Sequence, residues 1–140
     1  MLTNNKKVIF FKINDAKTKL IKIIQTAMMH FEKKENLLIK TFDSTSLNFV
    51  DELLWKLPKE SFLPHVKSNS FIEEFIVITT ENKNLNNAKY LFNLCPEIVD
   101  INLNFKTIYD LEDNTSQIKQ ANSKKRYLIY KQNKFLIELK

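Results

Sequence analysis

None of the 140 residues is glycine, and that absence closes off more chemistry than any motif in the chain suggests. A loop that cradles phosphate needs glycine, because only a residue without a β-carbon lets successive backbone N–H groups close on the anion. The P-loop GxxxxGK[ST], the dinucleotide fingerprint GxGxxG and the GxSxG nucleophile elbow therefore cannot be present. A nucleotide-dependent enzyme is close to excluded.

The hydrophobic pattern nevertheless reads as α/β. Val8-Ile9-Phe10-Phe11 is a continuous apolar run, as expected of a strand buried on both faces. Asn14 or Asp15 can cap a helix through about Lys34, with Leu20, Ile24, Ala27, Met28 and Phe31 at helical spacing and Ile21 and Ile23 widening the stripe. Leu37-Leu38-Ile39 predicts a second strand. A second helix is expected from Ser46 to Leu57, with Leu47, Val50, Leu53, Leu54 and Leu57 inward. Strand, helix, strand, helix at these lengths predicts parallel crossover units. Further strands are expected at Phe75 to Thr79, Tyr90 to Leu94 and Thr107 to Leu111. A last helix, capped by Thr115 or Ser116, is expected over about Gln117 to Gln132. Residues 97 to 104 give no clear signal, and Phe135-Leu136-Ile137 reads as an apolar tail folding back onto the body. Without a linker or repeat, the expectation is one domain over residues 1–140.

Hydrophobic residues make up 44% and charged residues 27% of the chain, a globular and not a disordered composition. No apolar run approaches the roughly 20 residues that span a bilayer. The start, MLTNNKKVIFFKIND, reaches Lys12 too soon to be a signal peptide. Cys95 is the only cysteine, which fits a reducing compartment and predicts a cytoplasmic protein without membrane partners. The formal charge of +6 favours acidic partners. Nearly all of it is lysine, Arg126 being the single arginine, in a chain also rich in asparagine and isoleucine. That compositional bias weakens the charge as a functional signal.

Catalytic or metal chemistry finds little to stand on. His30 and His65 are the only histidines, and neither lies near Cys95 in sequence. A zinc site needs several ligands at recognisable spacing, which one cysteine and two distant histidines do not supply. Glu73-Glu74 and Asp51-Glu52 read as solvated faces or caps.

Two constellations remain. In DELLWKLPKESFLPH, residues 51 to 65, Trp55 flanks the inward stripe of its helix, and Phe62, Leu63 and Pro64 form an apolar corner stiffened by the proline ring. Such a corner either closes the core edge or anchors a partner segment. In Lys124-Lys125-Arg126-Tyr127-Leu128-Ile129-Tyr130-Lys131, the residues Lys124, Tyr127 and Lys131 share one helical face, while Arg126 and Tyr130 share the next. The same run is either a solvated basic helix end or a pocket for an acidic peptide with a free carboxylate.

Asp51-Glu52-x-Leu54-Trp55, then Pro58, then Glu60-Ser61-Phe62-x-Pro64-His65 resembles the signature of the chi subunit of bacterial DNA polymerase III. The strand, helix and strand from Val8 to Phe42 fit that family in order and spacing, and Arg126-Tyr127 and Tyr130-Lys131 fit it again near the end. The resemblance implies a three-layer α/β fold with a mainly parallel central sheet and helices on both faces, like a nucleotide-binding domain but without a nucleotide site. It implies a non-catalytic clamp-loader adaptor without cofactor or metal, a monomer within a larger complex, touching nucleic acid only indirectly. A psi-like subunit or a related helicase would dock at Trp55, Phe62 and Pro64, with Leu63 and His65 completing the corner. The acidic C-terminal tail of single-stranded-DNA-binding protein would dock at Lys124 and Tyr127, with Arg126 close by. Where the family places a basic residue after the tyrosine, this chain has Leu128; either Lys131 one turn along is the replacement cation or the pocket is weakened. The alternatives are direct binding of single-stranded nucleic acid through the lysines and a hydrolase built on Cys95 or His65.

Overall fold

A computed structural model describes residues 6–56 and 63–140. These form seven strands, β1 (Lys7–Ile13), β2 (Leu37–Lys40), β3 (Val66–Lys67), β4 (Ile76–Thr79), β5 (Tyr90–Asn93), β6 (Thr107–Asp113) and β7 (Leu136–Leu139). Three α-helices join them, α1 (Ala16–Lys33), α2 (Ser44–Lys56) and α3 (Gln117–Gln132), with a 3₁₀ turn at Ile101–Leu103. The strands make one sheet in the order β3-β4-β2-β5-β6-β1-β7, and every pairing is parallel.

Strand alternation sorts the apolar residues into two cores. Ile9, Ile13, Leu37, Ile39, Ile76, Ile78, Phe92, Tyr109 and Leu111 point to the side covered by α1 and α2, where they meet Ile23, Ile24, Ala27, Val50 and Leu54. Their neighbours Val8, Phe10, Leu38, Val77, Leu91 and Ile108 point to the other side, against Tyr130 of α3 and the loop residues Leu85, Val99 and Phe105. Runs such as Val8 to Phe11 are apolar throughout because both of their faces are covered. The layers are helix, sheet, helix.

Caps set the helix starts. The Asp15 carboxylate accepts from Thr18 N at 2.7 Å, and Ser116 Oγ accepts from Lys119 N at 3.2 Å. Helix α2 begins at Ser44, two residues before the position predicted, because Asp43 accepts from Ser46 N at 2.9 Å and takes the capping role. The predicted end of this helix at Leu57 lies outside the described residues. Both α1 and α3 end in a left-handed residue where glycine is the usual choice: Lys34 (φ 55) and Lys134 (φ 64). In each the next amide reaches back five residues, Glu35 N to His30 O at 2.9 Å and Phe135 N to Tyr130 O at 3.1 Å.

The sequence pattern missed β3 and β7. The apolar tail is a true strand, in parallel register with β1 from Lys7↔Leu136 to Phe10↔Leu139. Strands β1 and β2, joined by α1, are separated by β5 and β6. Neighbouring β1 and β6 therefore send their helices to opposite faces, which makes the crevice at their carboxyl ends a topological switch point. That crevice is filled. Asn114 N donates to Ile13 O at 2.8 Å, and Lys19 Nζ bonds Asp113 Oδ2 at 2.9 Å. The adjoining cavity holds only about 90 Å³, whereas ligand pockets measure roughly 300–1,000 Å³.

Candidate functional site

Helix α3 divides its side chains between two tasks. Turned into the protein is a buried polar cluster on Asp110, a carboxylate at the middle of β6 that is itself 0% exposed. Arg126 Nε donates to Asp110 Oδ1 at 3.0 Å, Tyr130 Oη donates to Asp110 Oδ2 at 2.7 Å, and Leu111 N donates to Oδ1 at 2.6 Å. The remaining guanidinium nitrogens donate to Pro96 O and Leu111 O, both at 2.9 Å. Burial pushes the Asp110 carboxyl up from its ordinary range, and the Arg126 guanidinium opposes that shift. Arg126 is thus consumed inside the fold, fastening α3 to β6 and to the loop at Pro96.

The adjacent face of α3 opens onto a groove of about 360 Å³. Lys124, Tyr127 and Leu128 form its helical wall, Phe10 and Leu139 its sheet wall, and Ser123 and Glu112 complete it. The Tyr127 ring lies tilted against Phe10 at 5.8 Å. Lys124 and Leu128 are exposed, so an apolar slot carries an ammonium at its rim. Asn114 Nδ2 donates to the Glu112 carboxylate at 3.4 Å. The structure therefore brings Lys124 and Tyr127 together, places exposed Lys131 outside the lining, and turns Arg126 away.

The second constellation lies at the opposite sheet edge. The Trp55 indole is 51% exposed and sits over the His65 ring at 4.2 Å between centroids. His65 is buried and ties its own segment to α2. Its Nδ1 donates to Leu63 O at 2.7 Å, and its Nε2 faces Asp51 O at 3.1 Å and Asp51 Oδ1 at 3.2 Å. Lys67 Nζ lies 3.7 Å from the other Asp51 oxygen. Leu63 is 2% exposed and belongs to the α1/α2 core, and Pro64 is half-buried. Phe62 lies outside the described residues. Among the described residues, Trp55 and Pro64 are the accessible part of the corner, and Leu63 and His65 are buried beneath it.

The model for the DNA polymerase III chi subunit, HolC, matches residues 6–138. The chain belongs to the chi subunit family. A search of curated proteins found no match. Chi proteins are non-catalytic accessory subunits, so this chain has a replisome accessory role.

Burial raises the Cys95 thiol above its ordinary value, the reverse of what a nucleophile requires. Both histidines are committed elsewhere: His65 to Asp51 and Leu63, and His30 to Glu35 O at 3.2 Å and the Tyr109 hydroxyl at 2.7 Å. Among the described residues no three His, Cys, Asp or Glu side chains gather as metal ligands, and no helix is long and apolar enough to cross a membrane. Sequence reasoning missed Phe10 and Leu139 as groove residues and met Leu128 only as the place where a basic residue is expected. Leu128 was readable, one turn after Lys124 on the same face. Leu139 was not, because its place depends on a strand pairing that joins the two ends of the chain.

Proposed function

We propose that this chi-family chain is a monomeric, single-domain adaptor that grips two other polypeptides at opposite edges of its sheet and performs no chemistry on either. In this reading the α3 groove takes the acidic C-terminal tail of single-stranded-DNA-binding protein, and the Trp55 corner takes a psi-like subunit or a related helicase.

The groove carries the proposal. An apolar slot walled by Phe10, Tyr127 and Leu139, with Lys124 at its mouth, suits an aromatic residue next to a free carboxylate. Charge-assisted hydrogen bonds contribute roughly 1.5–3 kcal/mol each, and a buried ring adds about 2–3 kcal/mol. Two such bonds with one ring reach the neighbourhood of micromolar affinity, about −8 kcal/mol. At the other edge, Trp55 offers a large aromatic surface held against His65, so docking orders little that is not already fixed.

Calorimetric titration with an acidic peptide ending in phenylalanine, beside the same peptide amidated at its C-terminus, tests the groove. Micromolar binding that amidation weakens at least tenfold supports the reading; equal affinity for both removes the carboxylate from it. For the corner, Trp55→Ala is expected to release the psi-like partner while peptide binding persists. Retention of that partner would place its site elsewhere.

A further inference from the structure

The lysines and the groove leave open how the acidic stretch upstream of the terminal residue is held. Strand β7 ends the sheet among the described residues. Its ladder to β1 uses alternate residues: Leu136 N donates to Lys6 O at 3.0 Å, Lys140 N donates to Phe10 O at 2.7 Å, and Lys140 O accepts from Lys12 N at 3.4 Å. By the period of two along a strand, the N–H and C=O groups of Ile137 and Leu139 point the other way, along the free edge. Leu139 is also a wall of the groove. One residue thus presents its side chain to the slot and its backbone to the edge.

We infer that the acidic tail binds as an eighth strand, parallel to β7, with its last residue turned into the groove; this rests on the tail reading above. The direction follows from where the cations stand. The groove lies at the carboxyl end of β7, beside Lys124. Lys131 closes α3 just before the turn that leads into the amino end of β7. From Lys124 to Lys131 the helix rises about 10.5 Å, and three residues of extended chain cover about 10 Å. A tail running with β7 therefore passes Lys131 with a carboxylate three residues before its end and brings its terminal carboxylate to Lys124. Main-chain bonds to Ile137 and Leu139 supply the ordering, and the lysines select an acidic segment over a neutral one. Leu136 (64%) and Leu139 (68%) stand exposed along this edge.

The test is a backbone scan on the intact chain. Peptides of the acidic sequence ending in phenylalanine, each N-methylated at one amide, are titrated by calorimetry. Strand addition predicts a period of two: alternate N-methyl groups weaken binding at least tenfold, and those between them change it less than about twofold. Uniform tolerance, or uniform loss, overturns the strand while leaving the tail reading standing if amidation of the parent peptide still releases it. If the parent peptide does not bind at all, both fall.

Discussion

Replacing Arg126 by alanine is expected to cost far more stability than its place in a basic run suggests. The side chain is 6% exposed and its partner Asp110 is 0% exposed. Truncation leaves a buried carboxylate with Tyr130, Asn93 and the Leu111 amide as donors, strips Pro96 O of its guanidinium donor, and takes from Leu111 O one of its two side-chain donors, Ser123 Oγ remaining at 3.2 Å. Breaking a buried pair by removing one partner costs about 3–5 kcal/mol, against a total stability of about 5–15 kcal/mol for a typical domain. Lys124→Ala, on an exposed position of the same helix, is expected to change stability by less than about 0.5 kcal/mol. The joint change Asp110→Asn with Arg126→Met is expected to recover much of the loss, because no uncompensated charge then remains inside. Urea denaturation followed by far-ultraviolet circular dichroism measures all three. A cost below about 1 kcal/mol for Arg126→Ala, or equal costs for Arg126→Ala and Lys124→Ala, refutes the division of labour on α3. If the groove takes the peptide as proposed, a charge reversal at Arg126 is expected to lose it by damaging the fold, and one at Lys124 to lose it from a folded protein.

Three further outcomes follow from named residues. Lys34→Gly relieves a left-handed lysine at the end of α1 and is expected to stabilise the chain by about 0.5–1 kcal/mol in the same urea assay, while Lys34→Ala does not; equal effects would contradict the cap. His30 is held neutral by burial, which lowers its pKa from the ordinary value, while the Glu35 carbonyl favours its proton. The unfolded chain then takes up the proton first, so stability present above about pH 6.5 falls as the pH is lowered, by at most about 1.4 kcal/mol per unit. The His30→Gln variant should show the shallower slope between pH 7.5 and 5, and identical slopes would exclude His30 as the cause. Leu128→Arg places a guanidinium on the groove wall and is expected to tighten the acidic peptide several-fold by calorimetry; unchanged affinity would mean that the carboxylate lies away from that wall.

Much of the fold was legible because it rests on local signals. The strands buried on both faces announce themselves as unbroken apolar runs, and Asp15 and Ser116 stand where caps are expected. The edge strands were not legible: β3 is two residues long, and β7 reads as a tail until its pairing with β1, more than a hundred residues away in sequence, is formed. The candidate site divides in the same way. Lys124, Tyr127 and Leu128 share a face by helical arithmetic, whereas Phe10 and Leu139 join them only through the sheet. The direction of Arg126 is hidden for a related reason. Its neighbours in sequence are lysines and tyrosines, and the group that claims it, Asp110, sits on a different element. An aspartate inside the run Thr107 to Leu111 was the available hint that a buried cation must meet it.

Nuclear magnetic resonance of the isotope-labelled chain, titrated with the acidic peptide ending in phenylalanine, tests the adaptor reading most directly. Two separate surfaces predict that amide shifts concentrate at Lys124, Tyr127, Leu128, Ile137 and Leu139, while Trp55, His65 and Lys67 at the far edge stay unmoved. Shifts centred on the Trp55 corner, or none anywhere at saturating peptide, would contradict it.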